Sequence, residues 1–442
     1  MRRSNYSRRQ FLQTSAGTVA AGVAGASWLA DLTYGARTSR AKNNRPLIGS
    51  IGVGGQGTGI MNRAKEFGDI VAVCDVQRQH AERAREQSGG AAEIFEDYRR
   101  LLDRNDIEAV TIGTPDHWHT SIAVAALESG KHVYCEKPLT LTVDEGKLLV
   151  ETVKRTGKVL QVGTQQRGDQ FALFGRAVAT VRSGQLGKLQ KVTVQLPLST
   201  SEGGPFAGQP TPEGLNWDFW LGQAPVADYC PERCHFQFRW WYEYSGGIAT
   251  DWGAHHMDVA QWALDVEHSG PQTIDGTPTA LPAIEGGYNT PHLVTVDYLY
   301  PGDIHVQMSA NPPGDEGVLF EGENGRMFVN RGRITGKPIE QQDADQALKD
   351  KTMEEVVKLF KGNTAQMGNH MGNFFEAFQN NLHPISDVVS QHRSVSACHL
   401  GNISIRLGRK LTWDAEQEMF VGDDEANGML RREQRSPYQF GV

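Results

Sequence analysis

Long apolar runs are missing from this chain of 442 residues, and so is any excess of basic charge. The mildly apolar stretch Thr18–Ala30 falls well short of the roughly 20 residues that a membrane-spanning helix needs. Acidic residues number 52 against 44 lysines and arginines, a formal net charge of −8. The first 42 residues carry +6, so the remainder carries −14. Such an acidic body argues against a nucleic-acid partner, because neutralising phosphates needs a basic face.

Cysteine is also scarce. Its five copies are an odd number in a long chain, which excludes a disulfide-stapled scaffold. Cys230 and Cys234 could pair, could bind a metal or could be two buried thiols, and we favour the thiols. No second Cys/His pair stands at zinc-finger spacing, so the sequence predicts no metal site.

Residues 1–42 have the three parts of an export signal: a basic start, an apolar stretch and small residues. The start contains Ser7-Arg8-Arg9-Gln10-Phe11-Leu12, and paired arginines followed by Phe-Leu resemble the twin-arginine signal. We expect the twin-arginine export machinery to carry the folded protein to the periplasm, with cleavage near Ala36 or Ala41. An uncleaved membrane tether, or a chance arginine pair in a disordered tail, is the alternative.

The chain is long enough for two domains. Residues 43–165 alternate short apolar runs with helical stretches, which is typical of βαβ units and a parallel sheet. We predict helices over Thr120–Ser129 and Val143–Thr156 and strands over Leu47–Ile51, Ile70–Cys74, Ala109–Ile112, His132–Cys135 and Val159–Val162.

The first predicted strand leads into a G-x-G-x-x-G pattern, Gly52-Val53-Gly54-Gly55-Gln56-Gly57. Its glycines permit a tight turn, close approach of a pyrophosphate and close helix packing, and the next helix offers free N–H groups to phosphates. Asp75 ends the second strand, where a carboxylate binds ribose hydroxyls and repels a 2′-phosphate. We therefore predict a Rossmann domain that binds NAD. NADP is less favoured, although Arg78 lies close by.

Two more segments follow predicted strands: Thr114-Pro115-Asp116-His117-Trp118-His119 and Glu136-Lys137-Pro138. Both lie at the carboxyl ends of parallel strands, where open α/β sheets bind ligands. We expect Lys137 to point into the crevice beside the nicotinamide. Taken alone, a lysine ahead of a turn is more often a surface residue.

From residue 166 to 442 the pattern changes to the alternation typical of antiparallel strands. It predicts an α+β domain with a large, mostly antiparallel sheet, one face covered by helices and the other free to meet another subunit. The predicted strands are Lys191–Gln195, Leu293–Tyr298, Ile304–Ser309 and Met327–Asn330.

The segment around Asp251 predicts one helix that runs through to Leu264. Asp251 and His255 stand four residues apart and so share a helix face, where the carboxylate can orient an imidazole that exchanges protons near neutral pH. A helix cap plus a core histidine is the alternative for this pair alone. His256 points about 100° away, yet it could touch substrate. We disfavour metal binding here, because no further ligand is evident.

These motifs together resemble the Gfo/Idh/MocA family of oxidoreductases over residues 46 to about 410. The resemblance implies that Lys137, Asp251 and His255 act together in the reaction and that the subunits form a homodimer or homotetramer on the large sheet. It also implies that the loop Thr114–His119 lines the cofactor. We expect Thr114, Pro115, His119 and Glu136 at the cofactor, and Trp118, Arg167 and His256 at the substrate.

The sequence thus predicts an NAD-dependent oxidoreductase that acts on a CH–OH group of a sugar, glycoside or cyclitol. Six of the nine tryptophans lie between residues 217 and 262, and one or two at the site would suffice to stack on a sugar. Scarce NAD outside the cytoplasm favours an alternative, an NAD-retaining glycoside hydrolase or lyase that acts by transient oxidation. A non-catalytic sugar- or nucleotide-binding protein is the alternative of another class, which the intact Lys137, Asp251 and His255 disfavour.

Overall fold

The computed structural model describes residues 45–311 and 314–441, so the predicted export signal lies outside the described residues. Two sheets organise these ranges, one of six strands in the first half and one of nine in the second. In the described ranges, no helix combines the length and the apolar composition needed to cross a bilayer.

The first sheet is parallel throughout, with strand order β3-β2-β1-β4-β5-β6. This is the order of a dinucleotide-binding Rossmann sheet, so the predicted fold of this half is confirmed. The short, partly exposed β3 carries too little apolar pattern to be predicted. The strands are β1 (Leu47–Ile51), β2 (Asp69–Cys74), β3 (Glu93–Phe95), β4 (Ala109–Ile112), β5 (His132–Cys135) and β6 (Leu160–Val162).

Helices cover this sheet: α1 (Gly55–Ala64), α2 (Arg78–Ser88), α3 (Tyr98–Leu102), α4 (Asp116–Glu128) and α5 (Val143–Thr156). The bounds of α5 follow the prediction, because the Thr142 hydroxyl caps its start and Gly157 ends it at φ 64. By contrast, α4 begins four residues earlier than predicted, directly after Pro115. The His-Trp-His run therefore lies in the first turn of a helix and not in a loop.

The second sheet has the order β13-β12-β11-β7-β10-β9-β8-β14-β15 and is antiparallel except where β7 pairs with β10. The predicted α+β domain is thus confirmed, with one parallel pairing in a mixed sheet. Its strands are β7 (Leu189–Gln195), β8 (Thr273–Asp275), β9 (Thr295–Tyr300), β10 (Ile304–Ser309), β11 (Gly317–Gly322), β12 (Gly325–Val329), β13 (Ile334–Gly336), β14 (Leu411–Asp414) and β15 (Met419–Phe420).

The helices of this half are α6 (Phe171–Arg182), α7 (Trp217–Leu221), α8 (Ile248–Asp251), α9 (Gly253–Leu264), α10 (Lys337–Ala344), α11 (Gln346–Leu359), α12 (His370–Asn380), α13 (Val388–Leu407) and α14 (Asp424–Gly428). The long α13 contacts both α5 of the first half and α9 of the second. It therefore connects the two sheets through its packing.

The loop between β1 and α1 is packed as a Rossmann glycine loop requires. Gly52 adopts φ +70, and a Cβ on Gly57 would lie 1.7 Å from the carbonyl oxygen of Gly52. A Cβ on Gly55 would meet nothing within 4 Å. Gly57 thus serves packing, whereas Gly55 faces open space.

Two alanine substitutions test this division. We expect Gly57→Ala to lower the free energy of unfolding by on the order of 3 kcal/mol, because backbone must move to admit the methyl group. Gly55→Ala is the matched control and leaves stability unchanged or slightly raised, since alanine favours a helix start that has room for it. Urea unfolding measures both, and equal stability of the two variants would contradict the assignment.

Candidate active site

A cavity of about 760 Å³ opens at the carboxyl ends of the parallel strands, a size typical of cofactor and substrate sites. Residues from both halves of the chain line it. The predicted site residues in its wall are Gly52, Gly54, Gly55, Gln56, Asp75, Thr114, Pro115, Trp118, Glu136, Lys137 and His255.

The glycine loop leaves room for a pyrophosphate. Beyond the open space at Gly55, a Cβ on Gly54 would meet only the ring of His80, at 3.5 Å. The first N–H groups of α1 face this end of the cavity and have no partner within their own helix. Space, exposed backbone donors and the helix dipole together fit the phosphates of NAD.

Asp75 anchors the same end of the cavity. Its carboxylate accepts from the backbone N–H groups of Val53 and Gln77, each at 2.9 Å. A carboxylate has further lone pairs, so Asp75 can also accept from ribose hydroxyls. Arg78, whose position near Asp75 kept NADP open as the less favoured cofactor, pairs with Glu82 and is not part of the wall.

Glu136 links the glycine loop to the next part of the wall. Its Oε1 accepts from the side-chain amides of Gln56 and Gln165, each at 3.1 Å. Gln165 was not singled out from the sequence, although it lies three residues after the end of β6, at the ligand-binding edge of the sheet.

Lys137 and Asp251 form the central contact of the site. The Lys137 Nζ lies 2.5 Å from Asp251 Oδ1 and 3.0 Å from the Asp251 backbone oxygen. Arg239 approaches the same carboxylate at 3.3 Å. Burial alone would raise the pKa of Asp251, but the charges of Lys137 and Arg239 hold it below its usual value. Asp251 is therefore ionised and shared by two cations.

His255 lies in the cavity wall but is not bound to Asp251 as predicted. The expected single helix is interrupted at Trp252, whose carbonyl oxygen accepts from the N–H groups of both His255 and His256 at 3.1 Å. The His255 Nδ1 has no hydrogen-bond partner among the described residues. Burial lowers the pKa of His255 well below its usual value, and the charges of Lys137 and Arg331 lower it further. The imidazole is neutral at physiological pH.

Asp116 is a site residue to which the sequence assigned no role. It is buried, it lines the cavity, and its carboxylate accepts a hydrogen bond from the Ser245 hydroxyl. Burial raises the pKa of Asp116 to about 7, an effect that the Ser245 bond and the charge of Arg239 only partly offset. Its position directly after Pro115, close to the carboxyl end of β4, is the sequence feature that could have identified Asp116 as a site residue.

Two predicted substrate residues do not line the cavity. Arg167 is buried and pairs with Asp258 at 2.6 Å and with Glu267 at 2.7 Å, so its guanidinium is occupied by structural contacts. His256 is buried as well, between the Gln166 amide at 3.2 Å and the Glu316 carboxylate at 3.1 Å. Both residues were predicted near the crevice from their position in the sequence, but their side chains point into the core.

His119, predicted at the cofactor, is also absent from the wall. Its ring nitrogens lie 2.7 Å from the Pro138 oxygen and 2.9 Å from the Thr114 oxygen. His119 thus connects the two loops that present Thr114 and Lys137. Its role in this structure is to position those loops.

Tryptophans contribute part of the wall. Trp220 and Trp252 line the cavity, and Trp118 joins them with its indole N–H bound to the Trp220 oxygen at 3.0 Å. All five cysteines are buried free thiols. Within the described ranges, no group of three or more metal-ligating side chains is gathered.

Comparison with known proteins identifies the family. Residues 47–164 match the model described as oxidoreductase family, NAD-binding Rossmann fold, and residues 203–440 match the companion C-terminal alpha/beta domain. The chain belongs to the Gfo/Idh/MocA oxidoreductase family. Its first half is an NAD-binding Rossmann domain.

Curated relatives resemble only part of the chain. Inositol 2-dehydrogenase of Salmonella typhimurium is 32% identical over 121 residues, which are 27% of this chain and 35% of that protein. Alpha-N-acetylgalactosaminidase of Shewanella oneidensis is 32% identical over 176 residues, 35% of this chain and 38% of that protein. The match thus spans little more than a third of the length of these relatives.

Solved structures share the fold over most of the chain. The WlbA dehydrogenase from Bordetella pertussis, crystallised with NADH and UDP-GlcNAcA, superposes with a TM-score of 0.61. The match covers 85% of this chain and 99% of that one at 16% identity, a likeness of fold alone.

Replacing Asp116 by Asn tests its raised pKa. Because the folded pKa of about 7 exceeds the unfolded value, ionisation of Asp116 weakens folding as pH rises from about 4 to 7 and has no further effect above that range. Asn cannot ionise, yet it keeps an acceptor for Ser245. We compare the free energy of unfolding of Asp116→Asn with that of the unsubstituted protein. We expect this difference to be about 2 to 3 kcal/mol more favourable to the variant at pH 8 than at pH 5.

Urea unfolding at both pH values measures this difference. Asp103→Asn is the matched control, since the Asp103 side chain is 68% exposed. A difference between the Asp116 variant and the unsubstituted protein that does not change with pH would contradict the raised pKa.

Proposed function

We propose that the protein is an NAD-dependent oxidoreductase that oxidises a CH–OH group of a sugar, glycoside or cyclitol. The observation that carries the proposal is the convergence of Lys137 and His255 in one cavity that begins at the glycine loop. When bound, NAD supplies the acceptor for the hydride that leaves the carbon. The chain's own residues handle the hydroxyl and its proton.

Lys137 acts on the hydroxyl oxygen. Its ammonium group, held between the Asp251 carboxylate and backbone oxygen, has a third proton free to donate. That donor stabilises the negative charge that grows on the oxygen as the O–H bond breaks. Asp251 fixes the position of Lys137, which replaces the earlier hypothesis that Asp251 orients His255.

His255 receives the proton. A neutral imidazole offers one lone pair, and the low pKa of His255 keeps it neutral at physiological pH. The same low pKa makes His255 a weak base. The hydroxyl proton becomes strongly acidic as the hydride leaves and the carbonyl group forms, and at that point a weak base can accept it. A merely binding protein has no need of this arrangement, which favours an enzyme over the non-catalytic alternative.

Replacing Lys137 by Met tests the proposal. Methionine keeps the length of the side chain and removes the charge, while Arg239 still pairs with Asp251. We expect turnover to fall at least 10³-fold, about 4 kcal/mol of lost transition-state stabilisation, with NAD affinity within a few-fold of that of the unsubstituted protein. Nicotinamide absorbance across a panel of sugars, glycosides and cyclitols measures turnover, and calorimetry measures NAD binding.

Lys147→Met is the matched control. Lys147 pairs with Asp144 on α5 and is absent from the cavity wall, so its loss leaves turnover unchanged. Normal turnover by Lys137→Met, or no hydride transfer from any member of the panel by the unsubstituted protein, would refute the proposed reaction.

One observation favours the second candidate, an NAD-retaining glycoside hydrolase or lyase. A segment of the second half lies across the β2–α2 connection: the Asn216 N–H donates to the Val76 oxygen at 2.9 Å and the Arg78 N–H to the Gly214 oxygen at 2.8 Å. His235, Phe236 and Phe238 line the same cavity. By covering the adenosine side, this segment would slow the release of bound NAD. The glycosidase name of one partial relative agrees with this candidate.

The NAD content of the purified protein separates the two candidates. Retention predicts close to one NAD per chain after extensive dialysis, together with glycoside turnover that consumes no added NAD. Denaturation followed by enzymatic NAD assay measures the content. Protein that emerges free of NAD and reduces added NAD stoichiometrically with substrate would exclude the retaining mechanism and support the dehydrogenase.

Export by the twin-arginine machinery to the periplasm belongs to the same proposal. Its support is the order of basic, apolar and small residues in positions 1–42. A cofactor that must be loaded before export suits a route for folded proteins. The homodimer or homotetramer is likewise proposed, on the partly exposed outer face of the nine-stranded sheet.

A further inference from the structure

Arg331 is a cation at the substrate end of the cavity that the proposed reaction does not use. It lines the wall together with Trp252 and His255, and its guanidinium carbon lies 4.7 Å from the centre of the Trp252 indole. Trp252 in turn meets the His255 ring edge-on at 5.9 Å between centroids. Arg331 therefore stands one aromatic ring away from the proposed proton acceptor.

Arg331 has no direct ionic contact among the described residues. Lys137 and Arg239 share the single carboxylate of Asp251. Within the described part of the chain, the Arg331 guanidinium makes no ion pair and no hydrogen bond. The carboxylates of Glu316, Asp251 and Glu136 attract it only from beyond contact distance, and the Glu316 carboxylate is hydrogen-bonded to His256. The wall around the reaction centre thus offers a planar cation that an anionic ligand can pair with.

The backbone holds Arg331 in place. It lies in the tight turn between β12 and β13, where the Asn330 side-chain oxygen accepts from the N–H groups of Gly332 and Arg333 at 2.9 Å. The Asn330 N–H also donates to the Arg333 oxygen at 2.9 Å. A turn fixed in this way, with the guanidinium stacked on an indole, reduces the entropy that binding would otherwise cost.

From these observations we infer that the substrate is an acidic sugar whose carboxylate pairs with Arg331, as in a uronic acid or its glycoside. A guanidinium binds a carboxylate through two parallel N–H bonds, and the indole beneath it leaves its edge free for that geometry. The inference rests on the proposed function for the reacting centre. It adds the charge of the substrate and the residue that selects it.

Paired glycosides test the inference. NAD-saturated protein is titrated with the methyl glycosides of glucuronate, galacturonate and mannuronate and with their neutral parent sugars, and binding is followed by tryptophan fluorescence. We expect at least one uronide to bind about tenfold more tightly than its parent, as a charge-assisted hydrogen-bond pair provides. Raising the salt concentration reduces the ratio.

Variants of Arg331 assign the preference to this side chain. In Arg331→Met the ratio falls to about one, because methionine still covers Trp252 but carries no charge. Arg331→Lys keeps the charge without the planar fork and gives an intermediate ratio. Arg333→Met is the matched control: Arg333 lies two residues away, pairs with Asp315 and is absent from the wall, so the ratio is unchanged.

The outcomes are separable from those of the proposed function. Absence of any uronide preference, or a preference that survives Arg331→Met, overturns the inference even where hydride transfer to NAD is observed. A uronide preference that depends on Arg331, without hydride transfer, supports the acidic-sugar site and refutes the proposed oxidoreductase activity. If glucose 6-phosphate or glucose 6-sulfate binds more tightly than every uronide, the inference that the substrate carries a carboxylate is overturned in favour of a phosphate or sulfate ester.

Discussion

The ion pair between Lys137 and Asp251 is the contact on which the site depends. Lys137 follows the fifth parallel strand of the Rossmann sheet, whereas Asp251 ends a short helix of the other half, 114 residues along the chain. Both side chains are nearly buried, at 14% and 12% exposed. Separating such a pair leaves a charge without its counterion, a strongly destabilising change. The pair therefore fixes the second half against the mouth of the cavity.

The Asp251 carboxylate also contributes to the electrostatics of the cavity, together with Asp116 and Glu136 in its wall. Burial is the main reason that the His255 imidazole is neutral, and the charges of Lys137 and Arg331 act in the same direction. In the proposed reaction, the Lys137 ammonium group favours the alkoxide over the alcohol, since the oxygen gains negative charge as its proton leaves. The pKa of Asp116 is raised, because burial destabilises its charged form more than the nearby cations stabilise it. The pKa values of Asp116 and Asp251 are thus shifted in opposite directions.

Local patterns predicted the Rossmann half well. The strands β1, β4 and β6 are short apolar runs that glycine follows directly. The glycine loop, Asp75 and the Glu136-Lys137-Pro138 segment can each be recognised from a few neighbouring residues. The site residues contributed by the second half were harder to place. Asp251 and His255 were found by their spacing, but their partners depend on an interruption at Trp252 that spacing does not encode. Arg331 enters the wall from a hairpin, where no local pattern sets it apart.

Side-chain direction explains the expectations that differed from the structure. Arg167, His119 and His256 follow or lie within segments at the edge of the cavity, yet each points into the protein and satisfies buried polar groups there. The position of a residue along the chain predicts which region of the fold it lies in. Packing then decides whether its side chain faces the cavity or the core.

The central claim is that both halves of the chain meet over the redox-active ring of NAD. A crystal structure of the NAD complex tests it most directly. We expect the pyrophosphate at Gly54 and Gly55 and the nicotinamide against the wall formed by Lys137 and His255. A nicotinamide ring turned away from that wall, or a dinucleotide bound outside the glycine loop, would contradict it.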